Sequence, residues 1–90
     1  MADYKQVAEQ VLAAVGGKEN ISSVTHCMTR LRFVLKDQSI PEKNGITKIK
    51  GVVGVNIAGG QYQVIIGNSV GSVYREMVAL GVQADAQGAG

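Results

Sequence analysis

The sequence predicts an α+β domain in which a four-stranded antiparallel sheet carries its helices on one face. Three observations predict it. Apolar stripes of helical period occur at both ends of the chain, strict two-residue alternation marks central segments, and each pair of strand segments is joined by a connection short enough for a hairpin.

The elements follow in order. Tyr4, Val7, Ala8, Val11, Leu12 and Val15 recur at the i, i+3, i+4, i+7 spacing with Lys5, Glu9 and Gln10 between them, which gives an amphipathic helix with one apolar stripe. Gly16-Gly17 ends it, because glycine takes the left-handed C-cap conformation without a steric penalty. Ile21 to His26 is short and rich in β-branched residues, a strand that reaches a turn near Cys27. From Arg30 to Lys36 the alternation is strict: Leu31, Phe33 and Leu35 point one way, and Arg30, Arg32, Val34 and Lys36 the other. Ser39 as N-cap and Pro41 near a first helical position suggest a short helix that stops at Asn44-Gly45. Ile46 to Gly51 is a connection without a periodic signal. Val52 to Ala58 and Gln61 to Ile66 flank Gly59-Gly60, the two-residue signature of a tight β-hairpin. Asn68 or Ser69 can cap the last helix, whose stripe is Val70, Val73, Tyr74, Met77 and Val78, with Leu80 at its end. Residues 1–80 therefore form one domain. Residues 81–90 are small and polar without a period and are read as a flexible tail or the start of a linker.

Composition narrows the function. Ninety residues, 46% of them hydrophobic and 18% charged, make a globular domain that buries only about 60–65% of its unfolded surface. A deep enclosed active site is not expected, and chemistry belongs in a surface loop. One cysteine and one histidine exclude an internal disulfide, a several-thiolate zinc site and a histidine cluster, so metal chemistry is not expected. Nine basic against seven acidic residues give a net charge of +2, and the aromatics are Tyr4, Phe33, Tyr62 and Tyr74 alone. That is neither the concentrated basic face nor the stacking platform that nucleic acid calls for. No apolar run approaches the ~20 residues of a membrane span, and the N-terminus lacks a signal peptide's basic start and apolar core. A reduced cytoplasmic setting suits the free thiol.

One segment stands apart from the packing pattern: His26-Cys27-Met28-Thr29-Arg30-Leu31-Arg32, from the end of one strand through a turn into the next. A thiol at such a tip lies near the backbone N–H groups of Met28, Thr29 and Arg30, which can form an anion-binding nest. Arg30 and Arg32 leave the strand from the same face about 6–7 Å apart. Two guanidinium groups beside one sulfur favour the thiolate, and both can grip phosphoryl oxygens bidentately without losing their charge. The plainer reading carries equal weight on chemistry alone. A lone cysteine is more often a small apolar filler, and strand arginines are commonly just solvated. His26 should point away from Cys27, because adjacent strand residues face opposite sides of a sheet. The Thr29 hydroxyl can donate to a phosphate oxygen or simply close the turn. A tyrosine-phosphatase loop needs five residues between cysteine and arginine, whereas Arg30 follows after two and Arg32 after four. A redox Cys-x-x-Cys fails because position 30 is arginine, and the glycines do not lie between a strand and a helix as a nucleotide loop requires.

The hexapeptide Cys27-Met28-Thr29-Arg30-Leu31-Arg32, with the preceding helix, the Gly16-Gly17 stop and the hairpin Gly59-Gly60-Gln61-Tyr62-Gln63-Val64-Ile65-Ile66-Gly67, resembles the enzyme IIB domain of the bacterial sugar phosphotransferase system, in its glucose and β-glucoside superfamily. The resemblance spans roughly residues 4 to 80. His26 and the Gly-Gly-Gln-Tyr-Gln hairpin look more like the β-glucoside, sucrose and trehalose branch. The resemblance implies the split α/β sandwich of enzyme IIB and a two-step relay. Cys27 takes a phosphoryl group from a phosphohistidine on a IIA protein or domain and passes it to the sugar held by a membrane IIC domain. It further implies that Arg30 and Arg32 stabilise that group, that the turn at Met28 and Thr29 cradles it, and that no cofactor and no nucleic acid take part. The isolated domain is expected to be monomeric and to work at the cytoplasmic face of the cell membrane, with residues 81–90 leading toward the IIC domain. The alternative is a catalytically silent anion-binding or regulatory module in which Arg30 and Arg32 hold a phosphorylated ligand or nucleic acid and Cys27 merely packs.

Overall fold

Asp3 opens the first helix. In the computed structural model, which describes residues 3–84, its Oδ1 accepts the main-chain N–H groups of Lys5 and Gln6 at 3.1 and 3.2 Å, two of the orphan donors at the start of α1 (Tyr4–Ala14). The stripe Val7, Ala8, Val11 and Val15 is buried, and Gly16 and Gly17, at φ 107° and 79°, reverse the chain. A single turn of 3₁₀ helix at Lys18–Asn20, which no sequence signal marked, then places Asn20 in the interior. Its Nδ2 donates to the carbonyls of Val15 (2.7 Å) and Asp37 (3.0 Å), and its Oδ1 accepts from the Asp37 N–H at 2.9 Å. One buried amide thus clamps the end of α1 to the chain leaving the second strand.

The sheet consists of β1 (Ile21–His26), β2 (Arg30–Leu35), β3 (Gly54–Ala58) and β4 (Gln61–Ile65) in the order β1-β2-β4-β3, with every neighbouring pair antiparallel. Two hairpins therefore lie side by side with β2 and β4 in the centre. Gly59 and Gly60, at φ 57° and 76°, both take the left-handed conformation that a two-residue turn between twisted strands requires. Leu31, Phe33 and Leu35 on β2 and Tyr62 and Val64 on β4 face the helices and are buried, as the alternation predicts. On β1 the buried residues are Ile21 and Val24, three apart. A bulge between Ile21 and Ser23 reconciles that spacing with a two-residue period.

Two helices cover this face. α1 packs against α3 (Val70–Ala79), whose Val70, Val73 and Met77 enter the core, and each large buried apolar side chain contributes about 1.5–3 kcal/mol. The arrangement is the predicted α+β sandwich. The opposite face bears Ser23 and Thr25 of β1, Arg30, Arg32 and Val34 of β2, Asn56 of β3, and Gln61, Gln63 and Ile65 of β4. No helix among the described residues is long and apolar enough to cross a membrane.

Three connections depart from the sequence reading. The short helix α2 spans Lys43–Thr47 and lies later than expected, because Asp37 Oδ1 accepts from both the N–H and the hydroxyl of Ser39, which spends the expected N-cap on a turn. Ile46, fully buried, anchors α2 instead. β3 begins at Gly54, two residues late, since the Val52 N–H is held by the Ile49 carbonyl at 3.0 Å. Past Gly81 the expected tail is in part folded: Val82 is 4% exposed, the Gln83 carbonyl accepts the Val24 N–H at 2.9 Å, and Ala84 bridges Val24 in parallel. The open edge of β1 supplies the hydrogen bond that a tail reading left out. Residues 85–90 of that tail lie outside the described residues.

Candidate functional site at the β1–β2 turn

The loop Cys27-Met28-Thr29 joins the two strands and is held from both sides. Across the turn the Cys27 N–H donates to the Arg30 carbonyl at 3.0 Å. Outward, the Thr29 carbonyl accepts from Ile66 N–H (2.8 Å) and Gly67 N–H (2.9 Å), which fixes the loop against the end of β4 and the entry to α3. With that carbonyl pinned, the amides of Thr29 and Arg30 are turned to the sulfur. The main-chain N–H of Thr29 is the largest influence on the thiol, whose pKa is lowered from 9.0 to about 7. Partial desolvation pushes it up; a hydrogen bond from the Arg32 side chain, the Arg30 N–H and the Arg32 charge pull it down. Both hydrogen bonds and charge favour the anion, so a large fraction of Cys27 is thiolate at neutral pH.

The residues singled out in the sequence take unequal parts. Thr29 acts through its main chain, with its amide on the sulfur and its carbonyl on the next element. Met28 is the exposed tip, 88% accessible, and its amide is not among the groups that hold the thiolate. Of the two arginines, Arg32 brings its guanidinium to the sulfur, while Arg30 reaches the sulfur with its N–H and sends its side chain along the sheet. Both side chains stand on the face away from the helices, as the alternation predicts.

Two residues that the sequence reading named only as part of the hairpin complete this face. Arg30 Nη1 donates to Gln63 Oε1 at 2.9 Å, and Arg32 Nη1 donates to Gln61 Oε1 at 3.3 Å. Gln63 Nε2 joins the two pairs by donating to Gln61 Oε1 at 3.2 Å. Arg32 Nε is buried and has no hydrogen-bond partner among the described residues. The available signal was that Gln61 and Gln63 share one outward period on β4, in register with the arginines on β2.

His26 faces the other way. Its cross-strand partner is buried Leu31, and its ring lies 4.5 Å from that of Tyr74 on α3 at an interplanar angle of 47°. Nδ1, in the tautomer that carries its proton there, donates to the Cys27 carbonyl at 2.9 Å. A surface groove between α1 and α2 is lined by Gln10, Glu42 and Lys48 among others and includes none of these residues.

Comparison with known proteins adds to this geometry. The family model for the phosphotransferase system EIIB matches residues 9–40, which include the Cys27 loop and both arginines. The chain is 49% identical over 78 residues to the PTS system beta-glucoside-specific EIIBCA component of Halalkalibacterium halodurans, a match that covers 87% of this chain and 12% of that protein. It is 50% identical over 78 residues to the arbutin-, cellobiose-, and salicin-specific EIIBC component of Escherichia coli, covering 87% of this chain and 16% of that one. The chain thus spans only a small part of the length of these relatives. A solved structure, one domain of the PTS system IIabc component from Clostridium difficile, superposes with a TM-score of 0.86 at 37% identity, covering 91% of this chain and 86% of that one.

Proposed function

The chain belongs to the EIIB family of the phosphotransferase system, and from that premise we propose that it carries a phosphoryl group on Cys27 between a phosphorylated IIA donor and a sugar bound by a membrane IIC domain. The observation that supports this most is the Cys27 thiol itself, at a pinned turn, with two backbone donors and one guanidinium stabilising its anion.

In the first step the Cys27 thiolate attacks the phosphorus of a phosphohistidine on IIA. The S–P bond forms as the P–N bond breaks, and the departing imidazole takes up a proton. In the second step a sugar hydroxyl oxygen attacks the same phosphorus, the P–S bond breaks, the hydroxyl gives up its proton, and the thiolate returns. Phosphoryl transfer depends mainly on positioning and charge stabilisation, and no covalent step beyond these two is asked of the protein. In this reading the Thr29 and Arg30 amides and the Arg32 guanidinium, which favour the sulfur anion, also receive the phosphoryl oxygens once the sulfur is loaded. Arg32 Nε, which has no hydrogen-bond partner among the described residues, is one further donor for them.

The names of the relatives support the partners. They pair EIIB with EIIC, and in one case with EIIA as well, and they name β-glucosides among the sugars. The site works at the cytoplasmic face of the membrane, where both partners dock in turn on the rim around Cys27. The test is a reconstituted transfer: membranes bearing a IIC domain of the β-glucoside class, phosphorylated IIA and this chain. Wild type supports sugar phosphorylation and Cys27→Ser does not; equal rates in the two would refute the reading.

A further inference from the structure

We propose that Gln63 is a positioning residue of this site, whose side-chain amide yokes Arg30 and Arg32 into one oriented cation pair. The role assigned to the pair rests on the carrier reading above, but the yoke itself rests on geometry.

Gln63 is 5% exposed, one of two buried polar residues among those described; the other is Asn20. Burying an amide is costly unless it is hydrogen-bonded, so what each amide bonds to says what it is for. Asn20 spends its amide on main-chain groups of Val15 and Asp37, which is a structural clamp. Gln63 does the opposite. Its Oε1 accepts from Arg30 Nη1 at 2.9 Å and from Asn56 Nδ2 at 3.4 Å, and its Nε2 donates to Gln61 Oε1, which in turn accepts from Arg32 Nη1. These recorded bonds join side chains only, so an apolar residue of the same length would leave the main-chain ladder between β2 and β4 intact.

The chemistry of the acceptors matters as much as their place. Two guanidinium groups on one strand face repel each other, and something must hold them. Carboxylates would do so and cancel the charge. None of the four strands contains Asp or Glu, and the acceptors that hold the arginines are neutral amides. The pair is therefore oriented with its charge intact before an anion arrives, which is the preorganisation that a phosphoryl group rewards.

The test is the rate at which Cys27 of the whole chain reacts with iodoacetate, an anion, relative to iodoacetamide, its neutral counterpart. The ratio reads anion recruitment by the arginines and cancels changes in thiol accessibility. Gln63→Leu should lower the ratio about fivefold, the weight of a typical hydrogen bond, and move the thiol's titration upward. Gln63→Glu, which keeps an acceptor for Arg30 but adds a negative charge, should lower it at least as far. Gln61→Ala, at a half-buried position, should lower it through Arg32 and serves as the test should Gln63→Leu fail to fold. A ratio within twofold of wild type in folded Gln63→Leu, or in Gln61→Ala if the former is unfolded, overturns the proposal, and so does a wild-type ratio in Gln63→Glu. Failure of the carrier reading looks different: wild-type chain with a high ratio that takes no phosphoryl group from phosphorylated IIA.

Discussion

The main-chain N–H of Thr29 is turned to the Cys27 sulfur two residues earlier, and it is the largest single influence that lowers the thiol's pKa, with the Arg32 guanidinium acting on the same sulfur through a hydrogen bond and through its charge. Because the leading donor belongs to the backbone, Thr29→Ala should leave the thiol titration near 7. Arg32→Ala should raise it part of the way toward 9.0. The sign follows from the charge: what stabilises an anion lowers the pKa, so reactivity is retained above about pH 7 and falls away as the thiolate protonates below it. Following thiolate absorbance against pH in both variants checks that Thr29 acts through its main chain and Arg32 through its side chain. A larger rise in Thr29→Ala than in Arg32→Ala would contradict it.

Replacing either guanidinium by an ammonium separates charge from geometry. Arg30→Lys and Arg32→Lys should fold and accept a phosphoryl group from IIA, yet deliver it to sugar about tenfold more slowly or worse, because a point charge replaces a bidentate fork. Single-turnover transfer from the loaded chain measures this. Equal delivery rates would count against the assigned role.

His26 and Cys27 are neighbours that address different sides of the sheet, the ring against Tyr74 and the thiol at the arginine rim. His26→Phe should keep the ring contact, lose the Nδ1 bond to the Cys27 carbonyl, and still load Cys27. A chain that no longer accepts phosphoryl from IIA while remaining folded would show that His26 takes part in the chemistry.

The clamp at Asn20 makes a prediction about stability. Asn20→Ala strands the Val15 and Asp37 carbonyls and the Asp37 N–H and should cost about 2–4 kcal/mol in denaturant unfolding. Gly16→Ala strikes the same place: φ there is 107°, and an added Cβ would lie 2.9 Å from the Cβ and Nδ2 of Asn20. It should destabilise the fold with no change in the thiol titration.

These sites differ in how far the sequence disclosed them. Leu31, Phe33 and Leu35 announce their buried face by alternation, and Gly59-Gly60 announces its turn by the conformation it alone takes easily. The loop Cys27 to Arg32 stood out because a thiol and two arginines break the packing pattern, while chemistry alone left a carrier and a packed thiol evenly weighed. Gln63 was not legible, since an outward glutamine on a strand is ordinarily solvated; only the register that sets β4 beside β2 makes it a partner of Arg30. Ser39 shows the converse. Its residue type fits an N-cap, and the nearer carboxylate of Asp37 claims it. Local chemistry was readable where one segment supplied all its own partners, and was lost where the partner came from another strand.

Cys27 as the carrier is tested most directly by incubating the chain with phosphorylated IIA, without any membrane domain, and locating the transferred phosphoryl group by mass spectrometry. The expected result is modification of the peptide containing Cys27, on sulfur, and none in Cys27→Ser. A phosphoryl group on His26, or one taken up equally well by Cys27→Ser, would contradict the account.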